Sequence, residues 1–120
     1  MAKILIVDDS AFARNRLKRL FESGGHEIVG SVGDGEQALT QFKNLQPELV
    51  TLDYLMDNKT GEAVLKEIIK IDPSARVIMI SGSSDKTLEK RALDAGAKVF
   101  IEKFNERINI LKVIDQVMEI

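Results

Sequence analysis

The stretch that decides the fold is residues 4–10, Ile4-Leu5-Ile6-Val7-Asp8-Asp9-Ser10. Four consecutive apolar residues, three of them β-branched, read as a strand covered on both faces, because a strand with one wet face alternates apolar and polar residues. The run then stops at two carboxylates and a serine. The same pattern recurs down the chain. Ile28–Val32 leads to Gly33-Asp34-Gly35, and Leu49–Leu52 to Asp53. Val77–Ile80 leads to Ser81-Gly82-Ser83-Ser84, and Val99–Ile101 to Glu102-Lys103. Between these runs apolar residues take helical spacing. Ala13, Leu17, Leu20 and Phe21 share one face, and Gly24-Gly25 stops that helix. Ala38, Phe42 and Leu45 mark a second helix ending before Pro47; Val64, Leu65, Ile68 and Ile71 mark a third ending before Pro73. Leu88, Ala92 and Ala95 precede the stop at Gly96, and Ile110, Ile114, Val117 and Met118 mark the last helix. Five strand–helix alternations predict an α/β fold: a parallel sheet with right-handed crossovers and helices on both faces. Five strands suit an open doubly wound sheet, since a barrel of this kind needs eight.

The chain has 120 residues, a length that predicts one domain over residues 1–120 with a core of its own. The absence of cysteine excludes disulfides, thiolate zinc sites and a cysteine nucleophile. A single histidine, His26, excludes a multi-histidine metal site or relay, and its turn context places it in a surface loop. Seventeen Lys and Arg against 19 Asp and Glu leave a net charge of −2, which advertises neither a nucleic-acid groove nor an anionic membrane surface. No apolar run approaches the ~20 residues of a membrane-spanning helix. Met1-Ala2-Lys3 passes straight into the first strand with no leader pattern, so the expected location is cytoplasmic.

In an open α/β sheet, ligands bind beyond the carboxyl ends of the strands. That rule gathers Asp8, Asp9, Asp53, Ser81 and Lys103 at one edge. Two carboxylates ~4 Å apart repel by about 4 kcal/mol at an effective dielectric of ~20, so the cluster needs positive charge. An ammonium or a divalent cation would supply it. Few, hard oxygen ligands suit Mg2+, which keeps waters and bridges to phosphate. Lys103 and Ser81 offer an ammonium and a hydroxyl to phosphoryl oxygens, and an aspartate can act as nucleophile toward phosphorus. Taken alone, Asp8-Asp9-Ser10 also suits a helix N-terminus, Ser81 a turn, and Phe100 ordinary core packing. The basic run Arg14, Arg16, Lys18 and Arg19 reads first as a solvated helix face.

These residues, in register over essentially the whole chain, resemble the receiver domain of two-component response regulators, especially the single-domain chemotaxis type. Asp8-Asp9 resemble the family's metal-binding acid pair, and Asp53 its phosphoacceptor, with Gly61 eight residues on. Ser81 is similar to its switch hydroxyl, Phe100 to its aromatic switch residue, Lys103 to its lysine, and Ala95-Gly96-Ala97 to the turn before the fifth strand. The resemblance implies a flavodoxin-like sheet in the order 2-1-3-4-5. It implies Mg2+ held by Asp8, Asp9, Asp53 and the backbone carbonyl of Leu55. It also implies a phosphoryl group donated to Asp53 by a histidine kinase, a histidine phosphotransfer protein or a small phosphodonor. The implied chemistry is Mg-dependent self-phosphorylation and slow autodephosphorylation, a switch rather than an enzyme. Its output would be a protein target on the face of the fourth helix, fifth strand and fifth helix, in a monomer or a weak phosphorylation-dependent dimer. The first helix, with its basic run, would border the phosphodonor.

Three places depart from the family pattern. Met56-Asp57 stands where Met-Pro is frequent, Lys59 occupies an apolar position, and Lys103-Phe104 replaces a Lys-Pro whose bond is usually cis. A cis bond before a non-proline residue costs roughly 3–4 kcal/mol, so a trans Lys103-Phe104 bond is expected. Leu55 and Ser83 fall where the family tunes its dephosphorylation. Leucine cannot orient water, so the phosphorylated state is expected to outlast that of Leu55→Asn. A receiver that works without phosphorylation is the rival reading. An aspartate phosphatase of the haloacid dehalogenase type would want an acid where Leu55 stands, and a flavodoxin-like cofactor site would be repelled by Asp8-Asp9.

Overall fold

Each apolar run forms a strand that extends one residue beyond it: β1 (Lys3–Val7), β2 (Glu27–Val32), β3 (Leu49–Asp53), β4 (Val77–Ser81) and β5 (Val99–Glu102). Helices fill the intervals: α1 (Ala11–Ser23), α2 (Gly35–Leu45), α3 (Gly61–Ile71), α4 (Lys86–Asp94) and α5 (Ile110–Met118). The computed structural model describes residues 1–56, 59–83, 85–103, 105 and 107–120. The strands are all parallel, in the order β2-β1-β3-β4-β5. The expected open doubly wound sheet is therefore the one that forms.

Period-two alternation divides the core into two halves. Leu5 and Val7 of β1, Val50 and Leu52 of β3, and Val77 and Met79 of β4 face α2 and α3, meeting Ala38, Phe42, Val64, Leu65 and Ile68. Ile4, Ile6, Leu49, Ile78 and Ile80 face the other way and meet Phe21 of α1 and Ile114 and Val117 of α5. Fully burying such a side chain contributes roughly 1.5–3 kcal/mol, so each face is anchored by many residues. α4 is the exception, with Ala92 as its one buried residue.

The stops act as the sequence implies. Gly25, at φ 85°, carries the left-handed turn after α1, and the helix ends before Pro47 and Pro73 hold. His26 departs from expectation. It is buried, not in a surface loop, and its Nδ1 accepts the Ala2 N–H at 3.0 Å. At the end of the β1–β2 pair the Ala2 carbonyl takes the Glu27 N–H, and the imidazole takes the Ala2 N–H. Burying that amide without a partner would cost about 1–3 kcal/mol.

Candidate functional site

Strand register brings the predicted residues level. Val7 pairs with Leu52, so Asp8 and Asp53 emerge side by side at the ends of β1 and β3. Asp53 pairs with Ile80 and Ser81 with Glu102, which brings Ser81 and then Lys103 to the same edge. The Lys103 N–H donates to the Ser81 carbonyl, tying the ends of β4 and β5 together. Asp8, Asp9 and Asp53 each place a carboxylate oxygen within 4.8 Å of the others. Asp8 and Asp53 are buried and Asp9 is exposed.

The Lys103 Nζ lies 2.8 Å from Asp8 Oδ2 and 3.5 Å from Asp53 Oδ2, so one ammonium serves two buried carboxylates. It favours Asp8, and Asp53 is left with much of the repulsion. Burial first, then the negative charge of Asp8, pushes Asp53 up from 3.8 to about 6, against the opposing pull of Lys103. Burial alone would lower the Lys103 ammonium. The hydrogen bond to Asp8 and the charges of Asp53 and Asp8 outweigh it, so its pKa stands above 10.5.

The helix-capping reading of Asp8-Asp9-Ser10 divides between residues. Ser10 caps α1 by accepting the Ala13 N–H at 3.2 Å. Asp8 instead takes the Ser10 N–H on Oδ1 at 2.9 Å and turns Oδ2 to Lys103. Gly61 is required by close approach: a Cβ there would lie 2.3 Å from the Asp53 carbonyl oxygen and 2.8 Å from Tyr54 Cα. The α3 N-terminus therefore packs directly on the backbone that carries Asp53. Ser81 is fully buried, and its Oγ accepts the Ser83 N–H at 3.1 Å. Phe100 is half-buried against the α2–α4 side of the core. The Leu55 side chain is exposed.

Lys59 is more than a polar loop residue. Its stem lies against Gly35, where a Cβ would meet Lys59 Cβ at 3.1 Å, and its ammonium pairs with Glu67 at 2.7 Å. The loop after β3 is thereby held to α2 and α3. Asp57, Ser84 and Phe104, and with Phe104 the expected trans bond, lie outside the described residues.

Sequence reasoning missed a second cluster. Glu62 is buried at the start of α3, and Arg91 of α4 grips both its oxygens, Nε to Oε1 at 2.9 Å and Nη2 to Oε2 at 3.1 Å. Lys66 adds a contact at 3.2 Å, and the Tyr54 hydroxyl donates at 3.4 Å. The Arg91 hydrogen bonds first, and Lys66 with them, hold the Glu62 carboxyl below 4.5 against the opposing effect of burial. Nothing in the spacing of residues 62 and 91 announces the pair, because the fold alone brings α3 beside α4.

Three carboxylates around one point, with a hard oxygen-only donor set, fit a divalent cation. The fold and this cluster define a class: a doubly wound α/β protein with an acidic cluster, able to hold a cation, at the carboxyl ends of its strands. Comparison with known proteins agrees. The family described as "Response regulator receiver domain" matches residues 4–115. The chain is 37% identical over 118 residues to "Protein CcdB" of Bacillus subtilis (strain 168), covering 98% of each chain. It is 36% identical over 115 residues to "Chemotaxis protein CheY" of Thermotoga maritima, covering 96% of each. The "CheX-CheY-BeF3-Mg+2 complex" of Borrelia burgdorferi superposes with a TM-score of 0.87 at 39% identity, covering 98% of this chain and 87% of that one. The chain belongs to the response regulator receiver domain family. Among the described residues no helix is long and apolar enough to cross a membrane.

Proposed function

We propose that the protein is a phosphorylation-dependent signalling switch whose phosphoacceptor is Asp53. The observation that carries this reading is the buried Asp53 carboxylate, set beside Asp8 and Asp9 and 3.5 Å from the Lys103 ammonium. An Asp53 oxygen attacks the phosphorus of the donor. The bond from phosphorus to its leaving group breaks, and the product is an acyl phosphate. Mg2+, with Asp8, Asp9, Asp53 and the backbone carbonyl of Leu55 as its ligands, would neutralise the carboxylates and bind a phosphoryl oxygen. Lys103 exchanges its carboxylate partners for a phosphoryl oxygen, and Ser81 turns its hydroxyl from the Ser83 amide toward another. Inward movement of Ser81 makes room for Phe100, which biases the face formed by α4, β5 and α5 toward a protein target. Packed cores convert small shifts into two-state changes.

The donor in this reading is a histidine kinase, a histidine phosphotransfer protein or a small phosphodonor. Exposed Phe12 on α1, and a cleft of about 210 Å3 between α1 and the segment entering α5, with Lys103 at its edge, suit the donor's docking. The Borrelia burgdorferi relative is described with CheX, BeF3 and Mg2+, which supports both a phosphoryl-like ligand and a protein partner. The unit carrying the switch is residues 1–120, located in the cytoplasm.

Intact mass after incubation with acetyl phosphate and Mg2+ tests the reading. One phosphoryl adduct is expected in the wild type and none in Asp53→Ala. Its decay, followed in the same spectra, is expected to quicken in Leu55→Asn, where a polar side chain can orient the attacking water, and equal decay would reject that effect of Leu55. No adduct from any donor would make the protein a binding module that works without phosphorylation.

A further inference from the structure

Four basic residues lie on α1, and three of them, Arg16, Lys18 and Arg19, are exposed. Arg14 differs. It is half-buried, and its Nη1 donates to the Asp8 backbone carbonyl at 2.7 Å. A charged donor at that distance makes a strong hydrogen bond. The guanidinium reaches the carbonyl over Gly33, where an added Cβ would lie 3.0 Å from Nη1. The peptide between Asp8 and Asp9 is planar, so holding its carbonyl also fixes the orientation from which Asp9 departs. The rest of the turn is held on other sides: the Asp8 N–H donates to the Val32 carbonyl at 3.1 Å, and the Ser10 N–H to Asp8 Oδ1 at 2.9 Å. Asp9 is the exposed member of the carboxylate cluster, so packing of its own side chain does not place it.

We propose that Arg14, seated over Gly33, is a positioning residue that holds the Asp8–Asp9 peptide so that the Asp9 carboxylate completes the cation pocket. This rests on the reading of the acid cluster as a Mg2+ site. The sign of the effect separates positioning from plain electrostatics. As a positive charge beside an anionic pocket, Arg14 would oppose cation binding, and its removal would tighten it. As a positioning residue, its removal loosens the pocket. Groups that orient metal ligands are worth 10–100-fold in metal affinity.

The test is a Mg2+ titration of the wild type, Arg14→Met, Arg14→Lys and Gly33→Ala, followed by calorimetry and by Tyr54 emission. Tyr54 is the single tyrosine of a chain without tryptophan and is next to Asp53. Arg14→Met is expected to weaken Mg2+ binding roughly tenfold while still melting cooperatively in EDTA, and Arg14→Lys to recover part of the loss. Gly33→Ala keeps every charge and displaces the guanidinium, so it is expected to weaken binding, by less than Arg14→Met does. It decides the matter alone if Arg14→Met fails to fold. Unchanged or tighter Mg2+ binding in the folded variants overturns the role of Arg14. A wild type that binds no Mg2+ overturns the site reading itself, before any variant is compared.

Discussion

Asp53 titrates at about 6 against an ordinary 3.8, because burial and the Asp8 charge outweigh what Lys103 returns. A divalent cation held by this cluster would therefore compete with the proton on Asp53 for the same oxygens. Above about pH 6 the carboxylate is ionised and proton competition is slight; below it, each pH step makes the cation displace a proton first. Apparent Mg2+ affinity is expected to be nearly level from pH 7 to 8 and to fall about tenfold per pH unit below about 6. Titrations at several pH values check this. A plateau that persists down to pH 4.5 would mean that Asp53 ionises as an ordinary aspartate.

Among the elements, α4 is held least by apolar burial and most by a polar clasp, the Arg91 fork on Glu62. Glu62 follows Gly61, which rests on the Asp53 backbone, so the clasp joins the loop after Asp53 to α4. The Glu62 pKa is lowered, so the clasp contributes stability above its ordinary 4.5 and loses it as pH falls through the folded value. Arg91→Met is expected to melt below wild type at pH 7, with faster amide exchange in α4. The two melting curves should converge in acid, once Glu62 is protonated. A difference that stays constant down to pH 3 would assign the loss to packing of the arginine stem instead. The clasp also marks where the sequence stopped being legible. Asp8, Asp53, Ser81 and Lys103 were readable because each follows an apolar run, and parallel register does the rest. Glu62 and Arg91 sit on helices whose spacing reports their own apolar faces, not which neighbour lies across the groove. Arg14 was hidden in the same way among solvated basic residues, and His26 by its glycine-rich turn.

Across the whole molecule, the two apolar halves of the core carry a cluster of like charges that opposes folding. Raising Asp53 from 3.8 to about 6 means that its ionisation costs the folded state free energy as pH rises through that interval. The displacement corresponds to about 3 kcal/mol at full strength and on the order of 1–2 kcal/mol after solvent screening. Asp53→Asn removes that charge and keeps the side chain's size. At pH 7 it is expected to raise the melting temperature roughly 4–8 °C in EDTA. Mg2+ at ten times its dissociation constant adds about 1.4 kcal/mol to the wild type by mass action, which brings the wild type toward the variant. The variant, with one carboxylate fewer, should gain much less. Scanning calorimetry of both proteins in EDTA and in Mg2+ checks the pair of shifts. If Asp53→Asn melts at or below wild type in EDTA, Lys103 already neutralises the cluster, and the protein would then gain from Mg2+ only by binding, not by relief of repulsion.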